Sequence, residues 1–277
     1  MRGGLPTLYD SLHSGGPALG DDLMSKRRFE QRFIAFIDIL GFSDLVKEMT
    51  KHVDLFGSVR DALKHLDDQS RSFREYRQKR RNRTMANGTP VGDFQMAAFS
   101  DCCVFSDSYA AWRVIDAVQA LGSRFLRDGI LTRGAILKGK AYHNGGVLFG
   151  PGIIDAYKRE TGVAIYPRII VSDDLYEDLW GYHQEVWGEQ LLQQDHDGLW
   201  FVNLLVPSLS SWTPLLDPTA PKDTRSHLEQ VRWGLINAQK RAQGNPAHVA
   251  RVTWLVHKYN RVAGDEGLRK LLYGPTG

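Results

Sequence analysis

Two aspartates mark the ends of apolar runs. Asp38 sits in RFIAFIDILGFSDLV, where residues 33 to 40 are apolar enough for a strand buried on both faces. Asp101 follows Ser100 between two short apolar runs in DFQMAAFSDCCVFSD. Taken singly, each could be a strand-end residue bonded to a turn. Held together in an apolar setting they would repel each other and lose hydration, a conflict that a cation between them removes. Carboxylate oxygens without His or Cys suit a hard ion, Mg²⁺ or Mn²⁺, completed by phosphate oxygens and water. The helix that opens at Gly41, Phe42 and Ser43 adds free backbone N–H groups and a positive dipole end. Carboxylates, divalent metal and a helix N-terminus together describe a triphosphate site.

Those residues meet only if particular elements carry them. After Gly41, the residues Phe42, Leu45, Val46 and Met49 recur at helical spacing, so strand and helix follow each other almost directly. A second helical pattern, Leu55, Val59, Leu63 and Leu66, runs into a basic stretch in which seven of the thirteen residues from Arg71 to Arg83 are Arg or Lys. That stretch reads as a solvated helix end and loop. Ser100 and Asp101 form the tip of a tight hairpin, and Tyr109 to Phe125 describe an amphipathic helix. ILTRGAILKGKAYH is a strand and NGGVLFGPG a flexible turn, lacking the Lys-Ser or Lys-Thr of a phosphate loop. PGIIDAYKRETG is a helix punctuated by Pro151 and Gly162, and YPRIIVS another strand. A strand in LWFVNLLVPSL and helices over 224 to 242 and 246 to 263 complete the chain. The order predicts an α+β fold around a split βαβ unit, with helices on one face of a mostly antiparallel sheet and the Asp38 strand central enough to reach the hairpin.

The chain has 277 residues and 42% hydrophobic content, enough for a substantial core. A net charge of +3 does not argue for nucleic acid, and the extended basic, aromatic-lined groove of a polymerase is missing. No apolar run reaches membrane-spanning length and no signal core opens the chain, which predicts a cytoplasmic protein. Cys102 and Cys103, the only cysteines, are adjacent and read as small residues packed in a strand. Residues 1 to 28 read as a mobile tail, 29 to 205 as the catalytic domain, and 206 to 277 as a helical extension packed on it.

FIDILGF and FSDCCVFS resemble the two metal-binding segments of class III nucleotide cyclases. The likeness extends through RGAILKGKAY and IIDAYKRE, covers roughly residues 32 to 172, and is nearest to the pyrimidine cyclases of bacterial Pycsar anti-phage defence. It implies a ferredoxin-like core, two Mn²⁺ or Mg²⁺ ions on Asp38, Asp101 and the carbonyl of Ile39, and a loop from Ile39 through Leu40 and Gly41 to Phe42 around the phosphates. It also implies a head-to-tail homodimer with active sites at the interface, and a cyclic nucleotide that acts on a separate effector protein. The Asn that holds the ribose in many class III cyclases falls at Ile154, its Arg at Lys158, and the adenine-reading Lys at Ala97, which argues against ATP. Lys158 and then Arg133 are the candidate cations for the transition state, although a solvated helix lysine and a strand-end structural pair are the competing readings. Tyr157 is a candidate contact to base or ribose, or a packing residue. Ala97, Ser100 and Gln95 lie near the base. The resemblance points to UTP as substrate, with CTP the alternative, and leaves open an inactive nucleotide-sensing or dimerisation module. His143 and His196 have no partner at ligand spacing.

Overall fold

A computed structural model describes residues 29–79, 92–182, 190–207 and 217–273. The tail read over residues 1 to 28 lies outside them. A mixed sheet forms the centre of the molecule. Its first strand, β1 (Glu30–Ile39), is followed by α1 (Phe42–Met49) and α2 (Val53–Lys79), then by the hairpin β2 (Gln95–Phe99) and β3 (Cys102–Asp107). Next come α3 (Ala111–Arg127), β4 (Thr132–Asn144), β5 (Val147–Phe149), α4 (Pro151–Gly162) and β6 (Ile169–Val171). The described chain ends with α5 (Asp173–Tyr182), β7 (Leu192–Gln194), β8 (Trp200–Val202), α6 (Thr224–Arg241) and α7 (Pro246–Asp265).

The strand order is β2-β3-β1-β4-β6-β8-β7, with β5 paired to β4 alone. β1 is antiparallel to both neighbours, β3 and β4, while β6 runs parallel to β4. This central position explains the unbroken apolar run, because β1 is covered on both faces. Ala35, Ile37 and Ile39 point into a large core shared with α3, including Val114, Ile115 and Val118. Ile34 and Phe36 face the other way and pack with Ile153 and Ala156 of α4.

The expected one-sided helical layer is therefore corrected: among the described helices α4 alone covers the second face, and the others share the large core. Glycines permit the close approach of α4. A Cβ on Gly152 would lie 2.7 Å from Ile34 Cδ1 and 2.9 Å from the Gly139 carbonyl carbon, so helix and strand meet backbone to backbone. Three elements missing from the sequence reading are β5, α5 and β7. α2 runs to Lys79, through the first nine of the thirteen residues of the basic stretch, as the reading of a helix end there predicts. Arg71 there pairs with Asp67 and Asp68 one turn back, and Arg74 donates to Ser70 Oγ at 3.2 Å, spacings that support a continuing helix. The remainder of that stretch, from residue 80, lies outside the described residues.

The C-terminal helices are built into the same core, through Leu228, Val231 and Leu235 of α6 and Val252, Val256 and Tyr259 of α7. Asp223 caps α6 by accepting from Ser226 N–H, and Asn245 caps α7 by accepting from His248 N–H, with Pro246 at the first helical position. Arg241 fastens α6 to α1. Its Nε donates to Glu48 at 2.6 Å, and another nitrogen donates to the carbonyls of Asp128 and Gly129 at 3.1 and 2.9 Å.

Candidate active site

Asp38 is the penultimate residue of β1. Its register partner on β4 is Arg133 and its partner on β3 is Cys102, so cross-strand pairing alone delivers a cation beside it. Asp101 lies in the β2–β3 turn after Ser100, whose φ of 55° is the left-handed value a two-residue tip requires. The tip is anchored to the strand end, since Ile39 N–H donates to the Asp101 carbonyl at 2.8 Å. Beyond Ile39 and Leu40, Gly41 adopts φ 73° and caps α1, with no side chain closing the helix end.

Glu160 enters from α4 and is only 2% exposed. Arg133 Nε donates to its Oε1 at 2.5 Å, while the Arg133 terminal nitrogen lies 3.7 Å from Asp38 Oδ2. Burial pushes the Asp38 carboxyl above the usual range; Arg133 opposes this shift, Asp101 adds to it, and Arg251 lowers it. Glu160 is raised by burial as well, against Arg133, with Asp38 and Asp101 contributing in the upward direction. Three carboxylates thus feel one another around one close guanidinium. Among the described residues no group of three or more His, Cys, Asp or Glu has a metal-holding arrangement. Glu160 is taken by Arg133, which leaves Asp38 and Asp101 as the oxygen donors. That pair, oxygen-only and carrying excess negative charge, fits a hard divalent ion.

The remaining candidates divide into two groups. Leu40 and Gly41 line a cavity of about 190 Å³ beside the site, and Phe42 packs against the large core. Ala97 is half-buried on β2, and Ser100 is exposed at the turn. On α4, Tyr157 is 52% exposed with its ring edge-on to Phe36 at 5.6 Å. Lys158 and Ile154 are exposed on the side of α4 away from Ala156 and Glu160. One chain therefore brings Asp38, Asp101 and Arg133 together and leaves Lys158 outside the cluster.

Gln95, near the predicted base position, is engaged within the fold. It is buried, its amide nitrogen donates to Asp93 Oδ1 and the His143 carbonyl, and its oxygen accepts from Gly145 N–H. His143 joins the same network through Ser106 Oγ at 2.7 Å, and burial takes its pKa down to about 3. His196 instead contacts Asp195 at 2.9 Å. Cys103 is buried, its thiol pushed up to about 12 by burial, while Cys102 is partly exposed next to Asp101.

Two contributors escaped the sequence reading as site residues. Glu160 had a usable signal, because Gly152, Ala156 and Glu160 fall at i, i+4 and i+8 and place a carboxylate on the buried face. Arg251 had none: it flanks the apolar stripe of α7 as any solvated arginine would. Comparison of the chain with protein-family models and with curated proteins finds no match.

Proposed function

We propose that the protein is a metal-dependent nucleotidyl cyclase of the class III kind, converting UTP to 3′,5′-cyclic UMP and pyrophosphate. The observation that carries this reading is the meeting of Asp38 and Asp101 at the end of the central strand, one residue from the turn into α1. The strand order β2-β3-β1-β4 supports it, being the order of a ferredoxin-like split βαβ core with the hairpin beside the first strand.

In this reading Asp38 and Asp101 hold the divalent ions, Mn²⁺ or Mg²⁺, with the Ile39 carbonyl as a further ligand. Such ions, when bound, lower the pKa of the ribose 3′-hydroxyl and neutralise the phosphate oxygens. The 3′-oxygen attacks the α-phosphorus in line, the bond to the β-phosphate breaks, pyrophosphate departs and the hydroxyl proton passes to solvent. Leu40, Gly41 and Phe42 line the phosphates. Arg133, held by Glu160 across from Asp38, is oriented to stabilise charge developing on phosphate.

A head-to-tail homodimer would give Lys158 and Tyr157 a place opposite the partner's carboxylates. Exposure of Phe99 at 81%, beside Asp101, supports a covered tip. Base discrimination falls to the neighbourhood of Ala97 and Ser100, with Gln95 committed elsewhere. A cyclic pyrimidine nucleotide made this way would serve as a second messenger to a separate effector in anti-phage defence. Among the described residues no helix is long and apolar enough to cross a membrane.

Incubation of the purified chain with each of the four nucleoside triphosphates and Mn²⁺, followed by chromatography, tests the reading. Cyclic UMP is the expected product, cyclic CMP would move the assignment to CTP, and unchanged turnover in Asp38→Asn and Asp101→Asn would sink the metal assignment. A nucleotide-binding module without turnover is the second reading. Ile154 at the position of the ribose-holding Asn favours it, and triphosphate binding with no product would establish it.

A further inference from the structure

We infer that Arg251 and His248, both carried by α7, form a phosphate-binding pair that receives the terminal phosphates of the triphosphate in the cavity between α1 and the C-terminal helices. The inference rests on the cyclase reading for the identity of the ligand, and on the following features for the site itself. The cavity has a volume of about 190 Å³, and Leu40, Gly41, Leu131, Arg241, His248 and Arg251 are among its walls. It opens beside the turn that ends β1, where Leu40 and Gly41 form part of its wall.

The charges around this cavity are unequally committed. Asp44 is paired with Lys47 at 2.9 Å, and Glu48 is held by Arg241. Arg251 is half-buried and makes no hydrogen bond or ion pair among the described residues. A guanidinium on the wall of a cavity that reaches Leu40 and Gly41, without a carboxylate of its own, is suited to an anion that arrives with the metal.

The position of α7 is fixed rather than incidental. A Cβ on Gly41 would stand 2.9 Å from His248 Cε1, so the first turn of α7 abuts the β1–α1 turn. Arg241 ties the preceding helix to Glu48 and to the carbonyls of Asp128 and Gly129, which keeps the two C-terminal helices over α1. Residues far along the chain thereby become part of the nucleotide site.

Binding of inorganic tripolyphosphate in the presence of Mg²⁺, measured by titration calorimetry on the full chain, tests the pair without requiring turnover. Wild type should bind, Arg251→Gln should bind about tenfold or more weakly, and Arg251→Lys should fall between them. In the assay with UTP, Arg251→Gln should raise KM by a similar factor and change kcat less. Wild-type affinity in Arg251→Gln, or no tripolyphosphate binding by the wild type, would overturn the inference even if UTP is cyclised. Arg251-dependent binding with no cyclic product from any triphosphate would uphold the pair and remove the cyclase reading. If Arg251→Gln lowers the thermal midpoint, Arg251→Lys and His248→Gln decide, and wild-type affinity in both overturns the inference.

Discussion

β1 carries two charged clusters, six residues apart, and they are built in opposite ways. At its start, Arg32 is 2% exposed and its guanidinium is surrounded: Nε donates to Ser106 Oγ at 2.9 Å and the terminal nitrogens reach Asp93 Oδ2 and the Asp93 carbonyl, each at 2.8 Å. At its end, Asp38 is 22% exposed, meets Arg133 only at 3.7 Å, and lies in the field of a second aspartate. The first cluster balances charge inside the chain, as buried charge must. The second leaves negative charge in excess where solvent enters. Burial alone does not separate the two clusters; closure of the hydrogen bonds does.

Breaking the closed cluster should have the larger effect on stability. Arg32→Met removes the guanidinium that meets buried Asp93 and should lower unfolding free energy by about 3–5 kcal/mol in urea titration. An unchanged midpoint would show that the cluster is not closed in solution. Asp38→Asn should do the reverse. Turnover should fall by about 10²–10³-fold or more, while thermal stability holds or rises, because burial and Asp101 both disfavour the ionised carboxyl. The sign follows from a folded-state pKa above the unfolded one: the ionised group opposes folding above that pKa and ceases to do so below it. The stabilisation by Asn should therefore vanish in acid.

Acid probes the closed cluster a second way. His143 has its pKa taken down to about 3 and His227 to about 4, both chiefly by burial, against an ordinary value near 6.5. The unfolded chain therefore binds protons first as pH falls. Each histidine contributes stability that is present above about pH 6.5 and is lost at about 1.4 kcal/mol per pH unit below it, until its folded pKa is reached. Urea titrations at pH 7, 6 and 5 should show this decline, and His143→Gln should remove about half of it. A flat profile in the wild type would contradict the burial of both rings.

The open cluster was more legible in the sequence than the closed one. Asp38 and Asp101 stood out because a charge interrupts an apolar run, and Pro151 and Gly162 bounded α4 to within a residue, Gly162 being its last residue rather than the first beyond it. What could not be read was pairing. The register that sets Arg133 opposite Asp38, and the partnership of Arg32 with Asp93 and Ser106, are fixed by contacts across the sheet rather than by local spacing. For the same reason β5 was taken for a turn: its three residues lie among glycines, and only pairing with β4 makes them a strand. The face taken by α4 depended on glycine-to-glycine packing with β4, which carries no periodic signature. Gln95 looked like a base reader because it is polar and close to the hairpin tip. Its inward side of β2, however, commits it to Asp93 and His143.

Gly41 lies beside the open cluster and offers a smaller test. Alanine there must hold φ near 73° and displace the His248 ring, which should cost about 1–2 kcal/mol in urea titration. Adding His248→Ala should recover the steric part and leave the conformational part. Full recovery would mean that the left-handed turn is not required.

Lys158 should give the smallest change in stability and the sharpest information about the open cluster. It is exposed on α4 and faces away from Glu160, so Lys158→Met should shift unfolding free energy by no more than about 0.5 kcal/mol. A loss of turnover without loss of stability would mean that its target lies in another copy of the chain. Mixing then decides. If a site takes its carboxylates from one subunit and Lys158 from the other, a heterodimer of Asp38→Asn and Lys158→Met chains has one site with both lesions and one with neither. Random association of two inactive variants would restore about a quarter of the wild-type rate. No recovery from a mixture shown to exchange subunits would confine the chemistry to Asp38, Asp101 and Arg133 of a single chain, and the open cluster would have to be completed by ligand alone.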